Sequence, residues 1–214
     1  PYASSINASV SNQSTTGSSN TPVSKLTYKS GFSYGFGIYL KSSFGKRTGF
    51  TAGLNYHYLS AASLVGNRNS GSQTFYANLQ YSATANQYFN NGESVKYTNS
   101  YHLVELPLNF LLQLNKKQNK AVFITAGLSP AYLAKSNALY ASSSQNIYYA
   151  TSDQFKKWQF AAQAGLQVNI MNTRQLGITA GPQLQYGLNN MTKQVTGTSQ
   201  HLVSASLKLN VNLK

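Results

Sequence analysis

The chain has 214 residues, which is enough for one domain or a single closed barrel. Seventeen Lys and Arg stand against three acidic residues, yet only 9% of all residues are charged. Soluble domains carry about 25% charged residues, so this composition disfavours a soluble globular protein. The absence of Cys excludes disulfide scaffolds and thiolate metal sites. Apolar runs all fall well short of the roughly 18 residues that a membrane-spanning helix needs.

The amino-terminal segment predicts a first strand. Pro1 and Tyr2 show no feature of a signal peptide, so we expect a mature or trimmed fragment whose first strand is truncated at residue 1. Ile6, Ala8 and Val10 alternate with polar residues as in a half-buried strand. A Ser/Asn/Thr-rich external loop should follow, to about Lys29.

The rest of the chain alternates apolar and polar residues with a period of two. Most of the runs span about ten residues, the length that a tilted strand needs to cross a bilayer. In each run the apolar residues occupy every second position, which we call the apolar parity, and the other positions form the polar parity. The runs are 32–40, 50–58, 102–114, 122–128, 158–170, 176–188 and 203–213. Together with the first strand, these runs predict eight transmembrane strands.

The polar parity indicates which face of these strands is inside. It consists of Gln, Asn, Thr, Ser and Gly with very few charges. Such side chains can hydrogen-bond one another inside a narrow barrel, whereas a face in contact with water would carry more charge. The sequence therefore predicts an all-β, eight-stranded antiparallel up-and-down barrel whose apolar face contacts lipid. A soluble lipocalin-like barrel is the alternative.

The connections alternate in length, which predicts the orientation. Residues 44–47, 115–120 and 171–174 are short, basic turns, as on the periplasmic side of such barrels. The ranges 60–99, 135–155 and 189–200 are long, as expected of extracellular loops. For the number of transmembrane strands to be even, residues 74–97 must form a hairpin within the 60–99 loop, turning at Asn91-Gly92, and must not add a transmembrane strand. Residues 1–214 then form a single domain.

Two neighbouring strands resemble a known family. Residues 101–110, Tyr-His-Leu-Val-Glu-Leu-Pro-Leu-Asn-Phe, are similar to the "Tyr-Leu-x-Ile-Pro" strand of the small, PorT-like outer-membrane β-barrel domains of Bacteroidota. Residues 122–132 resemble the family's next strand, although Ser129 stands where Gly is usual. The resemblance covers residues 30–214 and implies a location in the outer membrane of a Gram-negative bacterium. Family members occur alone, in envelope complexes, or at the end of longer proteins that include signalling proteins.

Catalytic and cofactor motifs are not evident in the sequence. His57 points inward by parity, whereas His102 and His201 point outward, which opposes a shared metal site. His102 and Glu105 lie on opposite faces of one strand, so they do not form an acid–base pair. We therefore expect no cofactor, no metal and no enzymatic activity. A lipid-modifying enzyme at the membrane rim is one alternative, and a narrow channel is another.

The net charge of +14 is best explained by the membrane surface. A nucleic-acid partner would need basic residues interleaved with stacking aromatics, and the aromatics here follow the apolar parity instead. Cations at both ends of the barrel are expected to meet lipid phosphates, including those of lipopolysaccharide. The predicted aromatic anchors at the outer interface are Trp158, Tyr56, Tyr58, Tyr132 and Tyr186.

Function is then expected outside the lumen. An eight-stranded barrel is only wide enough for its own side chains, which favours a membrane anchor and interaction module with possible protein partners in the envelope. The candidate interaction surface in the long loop consists of Tyr76, Tyr81, Tyr88, Phe89 and Tyr97. A hairpin that only covers itself is the alternative.

The lumen is predicted to hold one charge cluster. Glu105 is the only acid on a spanning strand, and Lys41 and Lys208 are the two cations of the polar parity. Because an unpaired carboxylate in a narrow lumen is costly, we expect Glu105 to bind Lys208 first and Lys41 second, closing the barrel to ions.

Overall fold

The computed structural model describes residues 3–16, 28–78, 81–116, 120–142, 147–173, 175–193 and 199–213. Within these ranges the chain is all-β, as predicted, and contains no helix long and apolar enough to cross a membrane. The strands are β1 (Ala3–Thr16), β2 (Tyr28–Ser30), β3 (Phe32–Ser43), β4 (Thr48–Val65), β5 (Arg68–Asn78), β6 (Tyr81–Asn90), β7 (Val95–Glu105), β8 (Leu108–Gln113), β9 (Val122–Ser136), β10 (Leu139–Ser142), β11 (Ile147–Ala150), β12 (Trp158–Asn172), β13 (Leu176–Gly187) and β14 (Ser199–Leu213).

The larger sheet follows the antiparallel order β1-β3-β4-β7-β9-β12-β13-β14, and β14 pairs again with β1. β8 continues the line of β7 between β4 and β9, and the short β2 pairs with β4. The amino-terminal segment thus supplies the strand that joins β14 to β3, as the parity of the sequence required. Tyr2 lies outside the described residues.

A proline divides the strand that is formed by β7 and β8. Pro107 has no N–H group to donate to the ladder, and the regular pairing stops between Glu105 and Leu108. The neighbouring strands still bond to this break, because Gly53 N donates to Pro107 O (3.0 Å) and Leu106 N donates to Pro130 O (2.8 Å). The break therefore interrupts the pattern without opening the wall.

The alternation in the sequence separates the two faces of the wall. Residues of the apolar parity are exposed on the outside, where Leu184, for example, is 62% exposed. Inward residues such as Gln159, Thr179 and Asn210 are buried. A continuous apolar outer surface is costly in water and favourable in lipid, so this arrangement is that of a membrane barrel.

The connections also alternate in length, as predicted. Residues 44–47, 114–121 and 173–175 link strands at one end, which we call the short-turn end. At the opposite, long-loop end, residues 66–94 link β4 to β7 and residues 137–157 link β9 to β12. Residues 194–198 of the predicted 189–200 loop lie outside the described residues, and β14 begins at Ser199.

The predicted architecture of the 60–99 loop is wrong in two respects. β4 and β7 stay paired from Ser60 with Ser100 up to Val65 with Val95, so the barrel wall continues well above its apolar part. The hairpin is formed by β5 and β6, whose connection falls outside the described residues, and Asn91-Gly92 instead leads from β6 into β7. The apolar–polar alternation did not predict this extension of the wall, because many of its residues are polar Ser, Thr and Asn. Their backbones still form the hydrogen bonds between β4 and β7.

Candidate functional site

A buried carboxylate occupies the lumen. Glu105, at the end of β7, is 1% exposed, and its Oε1 lies 3.2 Å from Nδ1 of His57 on the adjacent β4. Gln185 Nε2 donates to the same oxygen (3.1 Å), and Ser129 Oγ donates to Oε2 (3.2 Å). The carboxylate therefore connects β4, β7, β9 and β13 through one set of polar contacts, which is favourable only if each group is satisfied.

Two inward glycines of β3 make room for this set. A Cβ at Gly35 would overlap the His57 ring, and a Cβ at Gly37 would overlap the side chain of Asn55. Gly35 and Gly37 oppose His57 and Asn55 in the β3–β4 ladder. The Gly-Phe-Gly sequence thus allows two larger polar side chains to fit into a narrow lumen.

The predicted pairing of Glu105 with Lys208 and Lys41 is wrong. Lys208 Nζ lies 4.1 Å from the ring centroid of Tyr39, and Lys41 Nζ lies 4.8 Å from that of Phe123. Gln185, which reaches Glu105, opposes Ser204. Lys208 is four residues further toward the short-turn end, about 13 Å along β14, which is beyond the reach of its side chain.

The two lysines are instead stabilised by aromatic faces. Lys208 is 4% exposed, and a cation over a ring in such a dry place is attracted by the negative face of the ring. Elsewhere in the lumen, polar side chains bond to one another: Gln183 Nε2 donates to Gln163 Oε1 (2.6 Å), and Asn210 Nδ2 donates to Thr179 Oγ1 (3.2 Å). These bonds link β12 to β13 and β13 to β14 inside the barrel.

An apolar plug lies above this polar region, at the long-loop end. It consists of Phe155 and Met191 from two loops, packed on the inward residues Leu59, Tyr101, Leu103, Ala131 and Leu133 and on Ala138. The loops are tied together, because Lys156 N donates to Met191 O and Lys193 N donates to Gln154 O, both at 2.8 Å. The ring of Tyr101 meets that of Phe155 edge-on at 5.9 Å. No pattern in the sequence predicts this plug.

A second, smaller sheet stands above the barrel. We call it the lobe, and its strand order is β10-β11-β6-β5. Its apolar residues are buried in two groups: Phe89, Leu139 and Tyr148 pack on Val65 of β4, and Ala85 packs with Tyr149. Burial, reinforced by nearby Tyr140, raises the pKa of Tyr149 to about 12, so this phenol stays neutral at physiological pH.

The lobe is fixed to the barrel extension by two asparagine side chains. Asn99 of β7 is fully buried, accepts a bond from Leu139 N (2.8 Å) and donates to Ser63 Oγ (2.9 Å). Asn137 Oδ1 accepts a bond from Ser100 N (2.6 Å), and its backbone oxygen accepts one from Tyr97 (2.7 Å). These contacts give the lobe a defined position on the barrel.

The predicted aromatic surface of the long loop is only partly available. Phe89 is buried and meets Tyr97 edge-on at 5.2 Å, so Phe89 holds the lobe together and cannot contact a partner. Tyr88 and Tyr97 are half-buried. Tyr76 and Tyr81 lie in β5 and β6, and their side chains are outside the described part. The exposed residues of β5 and β6 are mainly Asn, Gln, Ser and Thr, with Arg68 at the start of β5.

The predicted aromatic anchors lie on the outer face. Trp158 is 59% exposed and packs edge-on against Tyr132 at 5.4 Å, and the exposed Tyr186 stacks on His201 at 5.6 Å. Tyr56 and Tyr58 are half-buried in a further group with Tyr34 and His102. The described residues contain no group of three His, Asp or Glu side chains that could hold a metal ion.

These features define a transmembrane β-barrel: an apolar outer face with aromatic residues, a polar lumen, and connections of alternating length. The chain belongs to the outer membrane protein beta-barrel domain family, whose model matches residues 2–193. It is accordingly a protein of the Gram-negative outer membrane. The narrower resemblance to the Bacteroidota barrels stays a prediction.

Other comparisons add little. No curated protein matches the chain. Among solved structures, it is similar to the translocator domain of the autotransporter NalP from Neisseria meningitidis, at 12% identity and a TM-score of 0.32, over 99% of this chain and 88% of that one. A likeness at this TM-score carries no argument about function.

Proposed function

We propose that the domain is a non-enzymatic anchor in the outer membrane that presents the lobe to a protein partner at the cell surface. The observation that carries this proposal is the construction of the lobe. Four strands with their own buried apolar groups are held on the barrel extension by Asn99 and Asn137. A simple link between β4 and β7 would need only a few residues, whereas the described residues 66–78 and 81–94 include two long paired strands, β5 and β6.

The contents of the lumen support this role over that of a channel. The contacts of Glu105 and the plug around Phe155 place buried side chains across the described part of the lumen, which favours a closed barrel. Single-channel recording in planar bilayers distinguishes the two functions: we expect no conductance steps, and regular steps would favour the channel.

The geometry around Ser129 favours a structural role for the lumenal residues over a catalytic one. Ser129 Oγ donates to Glu105, whereas an activated nucleophile is bonded to a base such as histidine. Glu105 and Ser129 are also buried, so a substrate could not reach them without rearrangement of the wall or the plug.

Photo-cross-linking in intact cells tests the proposed surface. A benzophenone amino acid at Gln87, an exposed residue of β6, should give a covalent adduct of defined mass, because the exposed residues of the lobe are expected to contact the partner. The same group at Phe44, on the exposed short-turn end, is the control and should not give that adduct. Identical adduct patterns at both positions, or none at Gln87, would contradict the proposal.

A further inference from the structure

A β-bulge re-aims one lysine at the long-loop end of the outer face. In the β7–β9 ladder, Leu103 opposes Leu133 and His102 opposes Lys135, so Ala134 is an extra residue. Without the bulge, Lys135 would share the inward side with Leu133. With it, Lys135 shares the outward side with His102 and is exposed. The bulge therefore places a cation on the outward side of the wall, beside His102.

His102 is held in a defined orientation beside this lysine. Its Nδ1 lies 2.6 Å from the hydroxyl of Tyr56, and its ring meets Tyr58 edge-on at 5.2 Å. A phenol is a good donor, so we assign the proton of this bond to Tyr56, which makes Nε2–H of the neutral imidazole a donor. The remaining ring nitrogen of His102 is thus prepared to bind an oxygen acceptor.

The depth of the pair matches the level of lipid headgroups. Tyr132 opposes both Val104 and Trp158, and aromatic pairs of this kind lie at the membrane interface. His102 is two residues beyond Val104 toward the long-loop end, about 7 Å along the strand. Lys135 and His102 therefore lie at or just above the aromatic level, where lipid phosphates are found.

None of the chain's carboxylates is placed to neutralise Lys135. The sequence contains three acidic residues. Glu105 is bonded in the lumen, Glu93 lies in the turn between β6 and β7, and Asp153 lies in the loop that leads to Phe155. A cation facing the membrane is stabilised by an anion, and here that anion has to come from outside the chain.

We propose that His102 and Lys135, with Tyr132 and Trp158 beside them, bind the phosphate group of an outer-leaflet glycolipid of the lipid A type. Lys135 supplies the charge, His102 a directed hydrogen bond, and the aromatic pair contacts the acyl chains below the headgroup. This inference requires only that the long-loop end lies in the outer leaflet and is independent of the function proposed for the lobe.

Native mass spectrometry of the detergent-purified protein tests the site with three probes: bisphosphorylated lipid A, its dephosphorylated form, and inorganic phosphate. Wild type should bind the bisphosphorylated lipid about tenfold more tightly than the dephosphorylated form, the factor expected for one charge-assisted contact. Lys135→Gln and His102→Phe should each remove most of this preference, and Lys135→Arg should keep it. Lys46→Gln, at the short-turn end, is the matched control and should behave as wild type.

Three results would overturn the proposal. Lys135→Gln could retain the full preference for the phosphorylated lipid, or Lys46→Gln could lose as much of it. Inorganic phosphate could also bind as tightly as the lipid, which would show that the site does not recognise a lipid. Heat-modifiable gel migration, which separates folded from unfolded barrels, establishes that each variant tested is folded.

Discussion

Replacing Glu105 with Ala should lower the free energy of unfolding by about 3–5 kcal/mol, because its buried hydrogen-bond donors then lack an acceptor, at a cost of about 1–3 kcal/mol each. His57, Gln185 and Ser129 all bond to this carboxylate and would lose their acceptor in a place that water cannot easily reach. The change can be measured by urea titration of the refolded protein in lipid vesicles.

Two controls make this result specific. Glu93→Ala removes an exposed acid from the turn before β7 and should change stability by less than about 0.5 kcal/mol. Changing both partners, Glu105→Met with His57→Leu, should cost less than Glu105→Ala alone, because no polar partner of the pair is then left buried. Wild-type stability of Glu105→Ala would show that the lumenal contacts have no energetic role.

Replacing Phe155 with Ala should have a second large effect, a loss of about 3–5 kcal/mol, as for other fully buried aromatic side chains. Phe155 is 1% exposed and fills the space between Tyr101 and the loop that carries Met191. The single tryptophan, Trp158, follows Phe155 closely in the chain and provides a fluorescence signal for the titration.

Asp153→Ala is the matched control in the same loop, because Asp153 is exposed and only two residues away. It should change stability by less than about 0.5 kcal/mol. Equal stabilities of the two variants would mean that the plug is only a loose cover and that the outer mouth of the barrel can open.

Much of the barrel could be predicted because every strand follows the same rule: its apolar side chains face lipid and its polar side chains face the lumen. Alternation assigned Trp158 and Leu184 to the lipid face and Gln163 and Thr179 to the lumen, and the structure places them there. Connection lengths gave the same orientation for each strand pair, and parity required a strand before residue 32.

The pairing of charges could not be predicted in the same way. Parity correctly placed Glu105, Lys208 and His57 in the lumen, but the depth of each depends on the stagger between neighbouring strands. A depth that is counted in residues from the end of each strand takes no account of this stagger or of the break at Pro107. His57 is a partner of Glu105 because β4 and β7 pair Asn55 with Glu105, which puts His57 one pleat away on the same face.

The plug and the lobe depend on contacts between distant loops. Phe155 and Met191 are isolated apolar residues in polar segments, so no periodicity marks them. Their loops meet only after the barrel has brought residues 151–157 and 188–193 to the same rim. The buried Asn99 likewise gave no signal, since a single Asn in a strand is equally compatible with an exposed position.

Cysteine labelling of intact cells tests most directly whether the barrel presents the lobe at the cell surface. The chain has no native Cys, so each introduced thiol reports only its own position. Asn86→Cys, at an exposed position of β6, should react with an impermeant maleimide in intact cells. Lys46→Cys, in the exposed turn between β3 and β4, should react only after the outer membrane is permeabilised. Labelling of Lys46→Cys in intact cells with protection of Asn86→Cys would contradict the orientation and the function proposed for the lobe.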